Sequence, residues 1–159
     1  RTINPKGQVP ALLLDDGQLL TEGAVIVQYI ADQVAPSELL PPAGTMARYR
    51  VLEWLNYITT ELHKGFSPLF NPAMPEEGKA IYRQKLQDRF RWVDSQLARR
   101  DYLMGDTFTV ADAYLFTVSG WGHLVGVDLS GFSHLGAYLG RVRARPAVQD
   151  ALRAEGFLK

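Results

Sequence analysis

Apolar residues gather in two short runs near the start of the chain, Ala11-Leu12-Leu13-Leu14 and Gln18-Leu19-Leu20, on either side of Asp15-Asp16-Gly17. Gly17 supplies the positive φ that a tight turn demands, so the pattern predicts a β-hairpin. A lone two-stranded hairpin is marginal in water and has to pair with further strands or pack on helices. The pattern yields no second strand pair. From Thr21-Glu22 the apolar spacing lengthens to four, with Ile26, Ile30 and Val34 on one face. That spacing predicts a helix to about Val34 with Thr21 as its N-cap. Pro36 and the Pro41-Pro42 pair close it.

Everything after the prolines reads as helix. Tyr49, Leu52, Leu55, Ile58 and Leu62 form an apolar stripe on a helix from Thr45 to about Phe70, which Pro68, Pro72 and Pro75 should break. Tyr82, Leu86, Phe90, Val93 and Leu97 repeat the stripe between Glu76 and Arg100. Thr109-Val110-Ala111-Asp112 resembles a capping box with Asp in place of Glu, opening a buried helix to about Val125. A carboxylate at the third helical position accepts the N-cap amide and sits at the positive end of the helix dipole. A helix from about Phe132 to Ala144 follows, and Pro146 suits the first turn of a last short one. The expected organisation is α+β but mostly helical: a hairpin-and-helix unit over 1–36, a linker over 37–44 and an all-α domain over 45–159.

Composition narrows the function classes. The 159 residues carry 17 Lys+Arg against 17 Asp+Glu, with a pI near 7.0, so there is no basic field for nucleic acid or anionic lipid. No apolar run reaches the ~18 residues of a membrane span. The absence of cysteine removes thiolate zinc sites, iron–sulfur clusters and a Cys nucleophile from these residues. His63, His123 and His134 lack a tight helical pair spacing, so no metal site is expected. A Ser-His-Asp set is compatible with the residue types, but no Gly-x-Ser-x-Gly elbow stands in the sequence. Arg141, Arg143 and Arg145 read as solvated helix positions. The chain opens without an initiator methionine or signal-peptide pattern, in residues that read as the end of a loop entering a strand.

Three constellations carry candidate chemistry, each beside a plainer alternative. In Gln8-Val9-Pro10, a cis peptide bond would turn the Val9 backbone outward to pair with an extended peptide-like ligand; an ordinary trans proline at a strand start is the base-rate reading. In Thr21-Glu22-Gly23, the free amides of a helix N-terminus suit a carboxylate, Gly23 admits close approach, and Glu22 suits an ammonium. The plainer view is that Glu22 only complements the helix dipole. Asn56, Thr60, His63 and Ser67 recur at four, three and four, forming a polar stripe. On it His63 and Lys64 have the donors and charge to stabilise a thiolate-like anion, against the alternative of a solvated face. Phe66, Tyr114 and Trp121 are more often core than pocket.

These motifs, with Glu53-Trp54-Leu55-Asn56-Tyr57, Phe108-Thr109-Val110-Ala111-Asp112 and Arg145-Pro146-Ala147-Val148, resemble the bacterial beta-class glutathione S-transferases in order and spacing along essentially the whole chain. The resemblance implies the rear part of a thioredoxin-like domain followed by an all-α domain, in a cytoplasmic homodimer. It implies that Val9–Pro10 is cis, with the Val9 backbone pairing with the cysteinyl part of glutathione and Gln8 and Pro10 among the glutathione-binding residues. Glu22 and Gly23 would hold the γ-glutamyl end, and Asn56 would reach it from its own subunit or across the dimer. His63 and Lys64 would lie near the sulfur, and Phe66, Tyr114 and Trp121 would wall an electrophile pocket. Thr109 and Asp112 would be a structural capping box. Many relatives have Ser where Gly23 stands. The family's opening β-α-β unit, whose first loop carries the sulfur-facing cysteine in beta-class enzymes, is not among these residues. The chain is therefore expected either to continue upstream or to be truncated.

The expected function is conjugation of the glutathione thiolate to a small hydrophobic electrophile, with reduction of a peroxide or mixed disulfide as side activity. Glutathione is the co-substrate, and no permanent cofactor or metal is needed. The alternative is a non-catalytic interaction module on the same scaffold.

Overall fold

The Asp15-Asp16-Gly17 turn does what its residues predict. Strands β1 (Ala11–Leu13) and β2 (Leu19–Thr21) pair antiparallel with Leu12 opposite Leu20, and Gly17 has φ 85°. The structure is a computed structural model and describes residues 2–34 and 36–158; Arg1 and Lys159, the outer ends of the two predicted domains, and Ala35 beside the linker lie outside them. Helix α1 (Gly23–Asp32) packs on the hairpin and on the helical part. Thr21 is not its N-cap: it is held in the ladder opposite Ala11, so the chain must turn from strand to helix at Glu22, which takes φ 73°. Nor do Ile26, Ile30 and Val34 share a buried face. Two steps of four drift by about 80° around a helix, α1 ends before Val34, and the buried residues are Ile26 and Ala31.

The predicted long helix is three segments: α2 (Met46–Tyr57), a π-helical stretch (Ile58–His63) and α3 (Lys64–Phe70). Thr45 caps α2 by accepting the Arg48 amide at 3.2 Å. The stripe that reaches the core is Val51, Trp54, Leu55, Ile58, Leu62, Phe66 and Leu69, while Tyr49 is exposed and Leu52 half-buried. The steps of four from Ile58 to Leu62 to Phe66 would drift off a regular helix face; the wider π turn keeps them inward. Pro68 lies inside α3 rather than ending the helix at its own position. It forfeits one backbone bond, and the helix stops two residues later, at Phe70.

Helices α4 (Glu76–Leu97), α5 (Val110–Ser119) and α7 (Ser133–Arg143) complete the bundle. Leu86, Phe90, Val93, Leu115, Leu135, Tyr138 and Val142 are fully buried in one core with Ile58, Leu62 and Phe66. Each such apolar side chain contributes roughly 1.5–3 kcal/mol by leaving water. Leu40 of the proline linker joins this core, and the Leu39 carbonyl accepts the Val110 amide at 3.0 Å, so the linker is packed down. Gly65 permits the close α3–α4 approach, since a β-carbon there would lie 2.8 Å from Leu86 Cδ2.

The helix from Val110 stops at Ser119 rather than Val125, and a separate turn, α6 (Gly122–Val125), follows. The chain doubles back here: Gly122 has no room for a β-carbon beside the Val127 carbonyl, and Gly126 takes φ 73°. The Thr109–Asp112 capping box is present, with the Asp112 carboxylate accepting the Thr109 amide at 2.8 Å. The last helix, α8 (Pro146–Ala154), starts on its proline. Arg145 before it is not a solvated position. It is half-buried, with its guanidinium 4.0 Å from the centroid of the Phe108 ring. Among the described residues no helix is long and apolar enough to cross a membrane.

Candidate active site

The N-terminal half of the site is a loop laid against the start of α1. Asn4 is buried and organises the loop: its side-chain amide donates to the Gln8 carbonyl at 2.7 Å, and its Oδ1 accepts the Lys6 amide at 3.1 Å. The next peptide bond along, Val9–Pro10, is cis, and Val9 is 89% exposed. A β-carbon at Gly23 would lie 3.5 Å from Pro10 Cγ, so Pro10 abuts the first residue of α1. Gln8 is exposed beside them. The structure thus joins two constellations that stand apart in sequence, Gln8-Val9-Pro10 and Glu22-Gly23.

Glu22 is partnered within the chain. Lys6 Nζ donates to its Oε1 at 2.7 Å and to Thr21 Oγ1 at 3.2 Å. The Lys6 hydrogen bond, then the Lys6 charge and more weakly Lys64, hold the Glu22 carboxyl below the usual range, so it is ionised at neutral pH. Lys6 stands in the resembling motif, yet sequence gave no cue that it would face Glu22. Only the folding of the loop onto β2 brings them together.

The helical half centres on His63, the last residue of the π-helical stretch. Its Nδ1 lies 2.7 Å from Tyr114 Oη, and its ring meets Trp121 edge-on, with centroids 4.6 Å apart at 86°. Burial, and secondarily the charge of Lys64, push the His63 pKa below its ordinary 6.5. The imidazole is therefore neutral at pH 7 and acts as a hydrogen-bonding group; the positive charge expected of the His63-Lys64 pair resides on Lys64. Burial raises the Tyr114 hydroxyl; Thr59 opposes this and the Glu22 carboxylate adds to it. Lys64 acts electrostatically on Glu22, and Glu22 on Tyr114, so the two halves of the site share one electrostatic neighbourhood.

The other predicted residues divide. Trp121 and Tyr114 are half-buried beside His63, as wall positions require. Phe66 is fully buried between Phe90 and Trp121 and touches the His63 cluster through the Trp121 ring. Asn56 is exposed on α2, where its carbonyl accepts the Thr60 hydroxyl, and Ser67 is exposed on α3. Of the polar stripe, only His63 is drawn into the cluster. Phe70, passed over in the sequence, is half-exposed with its ring 6.2 Å from Trp121. Its place seven residues after His63, two helical turns on, is the signal that points to it.

A family model for the glutathione S-transferase C-terminal domain matches residues 57–146, and one for the N-terminal domain matches residues 1–33. Glutathione S-transferase GstA of Escherichia coli O157:H7 is 54% identical over 155 residues, covering 98% of this chain and 77% of that protein. A sphingomonad glutathione S-transferase solved in complex with glutathione superposes with a TM-score of 0.93 at 46% identity, over 98% of this chain and 77% of the other. The bacterial beta-class enzyme of Sphingomonas chungbukensis gives 0.94 at 43% identity, over 99% and 78%.

Proposed function

This chain belongs to the glutathione S-transferase family, for which glutathione is the co-substrate, and from that premise we propose the following division of labour among its residues. The exposed Val9 backbone pairs with the cysteinyl segment of glutathione, as an added strand would, with Gln8 and Pro10 shaping the approach. The Gly23 amide at the start of α1 receives the γ-glutamyl carboxylate. Glu22 takes the γ-glutamyl ammonium, sharing or releasing Lys6. Asn56 reaches the same end of the tripeptide, within one subunit or from the other.

At the sulfur, His63 donates a hydrogen bond and Lys64 supplies charge, so the thiolate is favoured over the thiol. The thiol proton passes to solvent water, the sulfur lone pair forms a bond to an electrophilic carbon, and the bond to the leaving group breaks as that group departs with its electron pair. Tyr114, Trp121 and Phe70 wall the electrophile side, with Phe66 backing Trp121. The observation that carries this reading is the cis Val9–Pro10 bond with Val9 exposed and Pro10 set against Gly23 at the start of α1, which supports a glutathione site on that face. Replacing Glu22 by Gln keeps its shape and removes its charge, so retention on immobilised glutathione should weaken by tenfold or more. Unchanged retention would sink the γ-glutamyl assignment.

The enzyme acts as a homodimer in the cytoplasm, where thiols are kept reduced. The exposed Trp92 ring, tilted against Tyr57 and Trp54 with centroids 4.6 and 5.2 Å away between α2 and α4, supports that face as the subunit contact.

A further inference from the structure

Tyr114 is more than a wall residue. Its hydroxyl reaches 2.7 Å from His63 Nδ1, across 51 positions of sequence, from α5 to the end of the π-helical stretch. A phenol O–H is the stronger donor of this pair and an imidazole nitrogen the stronger acceptor, so the proton between them belongs to tyrosine. Burial favours the same arrangement, since it keeps the phenol protonated and the imidazole neutral. The neighbouring Thr59 hydroxyl donates elsewhere, to the Leu55 carbonyl at 2.8 Å. A neutral imidazole that accepts at Nδ1 carries its own proton at Nε2.

The geometry points to Tyr114 as a positioning residue: its hydroxyl fixes His63 as the Nε2–H tautomer, while the edge-on contact with Trp121 fixes the ring plane, so that one N–H is held ready for the glutathione sulfur. The inference rests on the assignment of His63 to the sulfur. It explains why a histidine suits the position although it brings no charge: a donor aimed before the substrate arrives needs no reorganisation when negative charge develops.

The test is Tyr114→Phe in the full-length enzyme, which keeps the ring contact and deletes the hydroxyl. The expected result is a kcat for an aromatic electrophile about tenfold lower, with KM for glutathione within twofold. Nitrogen-15 spectra should give His63 as the Nε2–H form in the parent and as a tautomer mixture in the variant. In a His63→Ala background, Tyr114→Phe should have no further effect. An Nδ1–H form in the parent, an unchanged tautomer in the variant, an unchanged kcat for Tyr114→Phe where His63→Ala lowers it, or a full tenfold loss persisting without His63 would each overturn the proposal. Normal turnover in His63→Ala alone would instead remove His63 from the sulfur, while the spectra still judge the Tyr114–His63 coupling.

Discussion

At Glu22 backbone and side chain are both committed. A φ of 73° carries the chain from β2 into α1, and the carboxylate is tied to Lys6. A non-glycine residue held at such a φ costs of order 1–3 kcal/mol, and such strain gathers at ligand sites. Gly23 beside it can accept a β-carbon, which would meet Pro10 at ordinary contact distances of 3.5 and 3.7 Å. Gly23→Ser should therefore fold normally and add a hydroxyl at the first turn of α1. One added hydrogen bond of about 1 kcal/mol tightens glutathione binding roughly fivefold. Titration calorimetry with reduced glutathione checks this, and an unchanged affinity would move the γ-glutamyl carboxylate away from Gly23.

Among the elements, α5 shows how a local signal becomes a tertiary one. Asp112 was legible as the third residue of a capping box, but it also accepts the Leu103 amide at 2.9 Å and the Tyr138 hydroxyl at 3.1 Å. It thereby ties α5 to the preceding loop and to α7. Burial pushes its carboxyl above the usual range despite these bonds. Asp112→Ala strands several buried donors at once, so a loss of about 3 kcal/mol is expected; a shift under about 1 kcal/mol in urea unfolding would contradict the network. Helix existence was legible from period alone, as at Leu86, Phe90, Val93 and Leu97. The π turn at Ile58–His63 was not, because steps of four are read as ordinary helix. The stop at Ser119 was hidden too, since only the returning loop at Val127 shows why a side chain at Gly122 would be crowded.

For the whole molecule, the sequence motifs marked three separate stretches as chemically interesting, and folding sorted them. Pro10, Glu22 and Gly23 came together at the α1 start and His63, Tyr114 and Trp121 at the bundle, while Phe66 went to the core and Asn56 stayed on the surface. Lys6 is not legible because its significance is tertiary, whereas Phe70 is marked only by its seven-residue step from His63. Trp92 of α4, set beside Trp54 and Tyr57 of α2, is 44% exposed. Covering that face with a second copy would explain it, and Trp92→Glu would place a charge in the contact. Light scattering should then find a dimer in the parent and monomer in the variant; a dimer in both would relocate the interface.

The role proposed for the neutral His63 beside Lys64 is to serve the sulfur of glutathione. Steady-state conjugation of an aromatic electrophile by the full-length His63→Ala enzyme tests it most directly. Loss of a donor that favours ionisation of the bound thiol predicts a kcat at neutral pH lower by about tenfold or more, with a smaller change in KM for glutathione. An unaltered kcat would contradict it.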